Sequence, residues 1–97
     1  MIEVRQTAEF ADWFRSLRDR QARARIDSRI ARLQAGNFGD VKRLGAISEM
    51  RIDYGPGYRL YFVQRGHELV ILLAGGDKRT QARDIVFATR LAAEWKE

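Results

Sequence analysis

The sequence predicts an α+β fold: a helical hairpin and a C-terminal helix packed on one face of a largely antiparallel β-sheet. Three observations carry this. The apolar spacing is helical before residue 40 and switches to strict alternation after it. The alternating segments follow one another across short glycine-rich turns, as in a meander. A helical spacing then returns over the last residues. Helices segregated from a run of neighbouring strands define the α+β class.

Residues 2–6 alternate apolar and polar and read as a first strand. Thr7 is suited to cap the next helix, whose Phe10, Trp13, Phe14 and Leu17 recur on one face. Asp19 can cap a second helix with the stripe Ala22, Ile26, Ile30 and Leu33, and Gly36 is placed to end it. A short connection between two helices favours antiparallel packing. Val41–Leu44 is a weak strand. From Ile47 to Tyr54, Met50, Ile52 and Tyr54 share one face, and Glu49, Arg51 and Asp53 the other. After the Gly55-Pro56-Gly57 turn, Tyr58, Leu60 and Phe62 alternate with Arg59, Tyr61 and Val63. Arg65-Gly66-His67 makes the next turn. Residues 68–74 are nearly all apolar, the pattern of a strand covered on both faces. Gly75-Gly76-Asp77-Lys78-Arg79 reads as a loop. Thr80 stands where it can cap a last helix carrying Ile85, Ala88, Ala92 and Trp95 on one side.

Ninety-seven residues suffice for a single domain, 1–97, with one modest core. Cysteine is absent, which excludes a disulfide scaffold, a thiolate metal site and a thiol nucleophile. One histidine, His67, excludes a histidine-rich metal cage. The amino end is unlike a signal peptide, and no run approaches the ~18 apolar residues of a membrane span, so a cytoplasmic protein without membrane attachment is expected. The formal net charge is +5, and residues 41–83 are the most basic part, with eight cationic and four anionic side chains. That excess points to a polyanionic or acidic partner.

If Met50, Ile52, Leu60 and Phe62 face the helices, alternation sends Arg51, Asp53, Arg59 and Tyr61 to the other face. Lys78 and Arg79, after the next strand, can close the end of that surface. Two guanidinium groups, a phenol and a basic loop suit a bent nucleic-acid backbone, with cations on phosphates and a base on an aromatic ring. RNA brings its own nucleophile, the 2′-OH. Such a site can therefore cut by alignment and charge neutralisation, with no metal and no cofactor. Proton transfer would fall to Tyr61, Lys78, Asp53, Glu49 or His67, since arginine stays protonated. The plainer reading remains open: Arg51 and Asp53 as exposed ion pairs, His67 as a solvated hairpin tip, and the second-helix arginines as a solvated face. The Gly75-Gly76-Asp77-Lys78 run lacks the spacing of a Walker phosphate loop.

The run Met50-Arg51-Ile52-Asp53-Tyr54-Gly55-Pro56-Gly57-Tyr58-Arg59-Leu60-Tyr61-Phe62 resembles the central strands of the RelE/ParE toxin superfamily. Leu72-Leu73-Ala74-Gly75-Gly76-Asp77-Lys78-Arg79-Thr80-Gln81, followed by Asp84-Ile85, resembles its HigB-like branch of phage-related addiction-module killer proteins. The resemblance implies the toxin of a type II toxin–antitoxin module. It also implies a metal-independent, ribosome-dependent mRNA endoribonuclease. Arg59 falls where RelE-type enzymes keep a strand arginine, Lys78 or Arg79 near a second basic residue, and Arg51 at a position the branch usually fills with arginine. The implied partners are a cognate antitoxin, of helix-turn-helix type, and mRNA on the ribosome. RelE-type enzymes often carry a tyrosine or histidine near the chain end, where this sequence reads Ile85-Val86-Phe87-Ala88. A ParE-like, non-enzymatic gyrase inhibitor and an inactive binding relic are the alternatives.

Overall fold

A computed structural model describes residues 1–96. The elements run β1 (Glu3–Gln6), α1 (Ala8–Ser16), α2 (Arg20–Gln34), β2 (Val41–Leu44), β3 (Ile47–Ile52), β4 (Tyr58–Arg65), β5 (Leu69–Gly76) and α3 (Gln81–Glu94), with a 3-10 turn at Lys78–Thr80. The strands form one sheet in the order β1-β5-β4-β3-β2. β1 pairs with β5 in parallel, and the other pairs are antiparallel. The fold is α+β, with two N-terminal helices and a C-terminal helix packed against a mostly antiparallel sheet.

Local chemistry sets the helix starts. Thr7 accepts a hydrogen bond from the Phe10 amide at 2.9 Å, and its own hydroxyl donates to the Leu73 carbonyl at 2.6 Å. One residue thus caps α1 and ties it to β5. Asp19 accepts from the Gln21 and Ala22 amides at the start of α2, and from the Tyr54 hydroxyl at 2.8 Å. The bond to the Asp19 carboxylate raises the Tyr54 pKa, and the same bond lowers that of Asp19. Gly36, at φ +93°, follows the end of α2, as its position predicts.

The expectation that all three helices share one face needs correction. Phe10 of α1 and Ile26 and Leu33 of α2 pack on Met50, Ile52, Leu60, Phe62, Val70 and Leu72. Ala88, Leu91 and Ala92 of α3 pack with Ile47, Tyr61, Val63, Ile71 and Leu73. These strand residues alternate with the first set, so α3 covers the opposite side of the sheet. The reason is β5, which is buried from Val70 to Ala74. Apolar side chains on both faces require a layer on each.

Gly75 and Gly76 also differ from the loop expected of them: they are the last residues of β5, paired with Leu60 and Arg59. Neither has positive φ. A Cβ on Gly75 would stand 2.2 Å from the Trp13 ring, and one on Gly76 would stand 1.8 Å from Asp84 Oδ2. Each glycine is needed for lack of a side chain, letting α1 approach one face and the start of α3 the other.

Candidate functional site: a cationic cleft at the sheet end

Arg51 and Arg59 lie directly opposite each other on β3 and β4, and Arg59 pairs onward with Gly76 of β5. The start of α3 covers the Gly76 end of this row, and the row opens to solvent toward Arg51. Beside it is a cleft of about 370 Å³, lined by Asp40, Arg51, Ile52, Asp53, Gly57, Arg59 and Lys78. Three of the five candidate residues, Arg51, Arg59 and Lys78, thus meet at one cavity.

Arg59 is the most constrained of the three. Its side chain is 12% exposed, its Nη1 donates to the Gly57 carbonyl at 2.7 Å, and its Nε stands 3.6 Å from Glu49 Oε2. Glu49 is 1% exposed and also accepts from Gln81 Nε2 at 2.7 Å. A buried carboxylate held by two cationic or polar groups is a costly feature that fixes its partners. Here it locks Arg59 to the first residue of α3. Arg51 is more open: its Nη2 donates to Asp40 at 3.1 Å, and its carbonyl accepts from Arg29 Nη1 at 2.7 Å. Asp53 is exposed and forms no hydrogen bond or ion pair among the described residues.

The other two candidates lie elsewhere. Tyr61 is fully buried under α3, so the stacking surface expected of it does not exist. Its parity on β4 is as expected, but the helix covers that stretch. Burial, then the charges of Glu49 and Asp84 and the approach of the phenol to the Glu49 carboxylate opposite it, push its pKa up, while its hydroxyl makes no hydrogen bond of normal geometry. Arg79 is turned toward Asp77, at 3.4 Å, and does not line the cleft. Burial acts to raise the Asp77 pKa, but the amide and guanidinium of Arg79 and the Thr80 amide together hold it below the ordinary carboxylate value. Thr80 occupies the cap position of α3, yet its hydroxyl bonds Asp84 at 2.5 Å instead of capping. His67 lines a separate cleft with Glu3, Arg65 and Glu68, beyond the far end of β4.

The second-helix arginines turn out to adjoin the site. Arg25, Arg29 and Arg32 line a neighbouring cleft of about 300 Å³ whose wall includes Ile52 and Asp53, shared with the first. Burial, then Arg32, lowers the Arg29 pKa. The arginine spacing along α2 was the available signal. What was missing was the packing of α2 beside the end of β3.

Chemically, the cleft offers two guanidinium groups and an ammonium to a phosphate, with a free carboxylate at its rim. Asp40 and Asp53 temper the charge. Among the described residues, no helix is long and apolar enough to cross a membrane. No family model matches the chain, and no solved structure does. A protein of Haemophilus influenzae, described as an uncharacterized protein, is 49% identical over 94 residues, which is 96% of this chain and 95% of the relative. The chain belongs to the same family as that Haemophilus influenzae protein.

Proposed function

We propose that the chain is a RelE/ParE-superfamily toxin of the HigB-like branch and cuts mRNA without a metal. The observation that carries this reading is the meeting of Arg51, Arg59 and Lys78 at one open cleft. In the proposed reaction the RNA 2′-oxygen attacks the adjacent phosphorus and the bond from phosphorus to the 5′-oxygen breaks. The products carry a 2′,3′-cyclic phosphate and a 5′-hydroxyl. Arg59, fixed by Gly57 and Glu49, is preorganised to stabilise the phosphorane, the arrangement that lowers a barrier with least reorganisation. Arg51 binds the same or the next phosphate. Asp53 receives the 2′-hydroxyl proton, and Lys78 supplies one to the departing 5′-oxygen. Tyr61 has no part in the chemistry, since it is sealed beneath α3. Under this reading the substrate is mRNA on the ribosome, the compartment is the cytoplasm, and a cognate antitoxin of helix-turn-helix type restrains the toxin.

One observation favours a second reading, a ParE-like gyrase inhibitor without chemistry. Asp40 and Asp53 on the cleft rim reduce its attraction for a polyanion. Pulse-labelling after brief induction separates the two. The ribonuclease reading requires protein synthesis to stop first with DNA intact, and Arg59→Ala, still folded, to restore growth. DNA damage ahead of any loss of translation would establish the inhibitor.

A further inference from the structure

Glu49 is a charge where an apolar side chain would be the cheaper choice. It is 1% exposed, two residues from Ile47 on β3 and opposite Tyr61 on β4, on the face that α3 covers. A buried carboxylate with a single cationic neighbour is a poor source of stability, because well-packed apolar side chains do as well or better. Among the described residues Glu49 has two polar partners. The Gln81 amide donates to Oε2 at 2.7 Å, and Arg59 Nε stands 3.6 Å from the same oxygen. The second contact is an ion pair without a hydrogen bond, and the buried Nε–H has no other acceptor. Neither Glu49 nor Gln81 lines the cleft, whereas Arg59 does.

The consequence falls on the guanidinium. Its N–H groups lie in one plane. Arg59 commits Nη1 to the Gly57 carbonyl at 2.7 Å and sets its Nε against Glu49. Contacts at two corners of the plane leave it little freedom to turn. Nη2, with no protein partner among the described residues, is left for a ligand. We infer that Glu49 and Gln81 are positioning residues that aim Arg59 into the cleft. Gln81 holds the carboxylate, the carboxylate holds the Nε side of the guanidinium, and Nη2 is presented to a phosphate. Neither residue touches the phosphate itself. The effect on turnover rests on the ribonuclease reading; the effect on Arg59 does not. A pair that served only to anchor α3 would affect stability and leave Arg59 as it is.

The test uses the full chain with two substitutions. Gln81→Met keeps the side-chain length and removes the amide, while Glu49→Gln keeps the shape and removes the charge. Melting curves verify the fold. Gln81→Met, at the half-buried start of α3, carries the test alone if Glu49→Gln does not fold. The first readout is the set of arginine Nε–H signals in proton–nitrogen NMR spectra, with Arg59 assigned by its absence in Arg59→Lys. In the wild type this proton is expected to exchange with water at least about tenfold more slowly than that of exposed Arg79. Both substitutions should shift the signal and speed its exchange, with the Arg25 signal unmoved. The second readout is cleavage of mRNA on programmed ribosomes. There kcat should fall by about tenfold or more with KM within about twofold, as for a group misplaced at the transition state. An Arg59 signal unmoved in both variants overturns the proposal and makes the pair an anchor of α3. Unchanged kcat beside a shifted signal, or a loss confined to KM, also overturns it. A wild type that cuts no mRNA sinks the ribonuclease reading by itself, and the Arg59 signal then decides the positioning claim.

Discussion

Tyr61→Phe is the most informative single substitution in this fold. Tyr61 is the largest fully buried side chain among the described residues, and its hydroxyl makes no hydrogen bond of normal geometry, although Glu49 stands opposite it on β3. Leaving a buried polar group unpaired costs about 1–3 kcal/mol. Phenylalanine keeps the ring among Ile71, Leu73 and Ala88 and removes the oxygen. The oxygen leaves a space smaller than a methyl group, so part of the gain is lost to packing. A net stabilisation of about 1 kcal/mol is expected, which for a domain near this size is about 4–8 °C in Tm. Urea and thermal denaturation measure it. A loss of more than about 1 kcal/mol would mean that the hydroxyl is bonded, most simply to Glu49, and the account of the buried layer would fail. The same variant tests function. Full toxicity is expected, and a stable but inactive Tyr61→Phe would return the phenol to the chemistry.

The pH dependence follows from the same side chain. Folded Tyr61 holds its proton above its ordinary value of 10.0, so its contribution is intact below that pH. Above it the unfolded chain ionises first, and stability falls by up to ~1.4 kcal/mol per pH unit until the folded phenol titrates. Tyr61→Phe should flatten this alkaline limb without abolishing it, because Tyr54 is also shifted upward. A limb unchanged in the variant would assign it to other groups. Thr7→Ala removes the α1 cap and the bond to Leu73, and is expected to cost about 2 kcal/mol by urea titration. A cost below about 0.5 kcal/mol would show that both bonds are dispensable. Gly76→Ala forces a methyl onto Asp84 and Thr80, and should destabilise by about 1–3 kcal/mol. A neutral Gly76→Ala would mean that the start of α3 is free to move away from the sheet.

What the sequence reveals here depends on how local the governing physics is. Thr7, Asp19 and Gly36 act on their own chain neighbours, so their positions are legible from residue type and spacing. Strand parity is equally local, which is why Arg51 and Arg59 could be assigned to one face and are found paired there. The side taken by α3 depends on the whole sheet. Its signal was the run of apolar residues in β5, which need cover above and below. Once α3 is assigned to that side, the burial of Tyr61 follows, while Arg59, one row nearer the strand end, stays at the cleft. Gly75 and Gly76 look like a loop because glycine pairs so often are one. The Trp13 ring and Asp84 carboxylate that explain them are distant in sequence. Arg79 and Lys78 are indistinguishable as adjacent cations. Only the 3-10 turn, which pairs Arg79 with Asp77 and leaves Lys78 at the cleft, tells them apart.

The most direct test of the central claim maps transcript 5′-ends in cells after brief induction of the wild-type chain and of Arg59→Ala. The account predicts new 5′-hydroxyl ends inside translated regions with the wild type, and their loss with the folded variant. Equal ends in both strains, or none in a strain that wild-type induction still arrests, would contradict it.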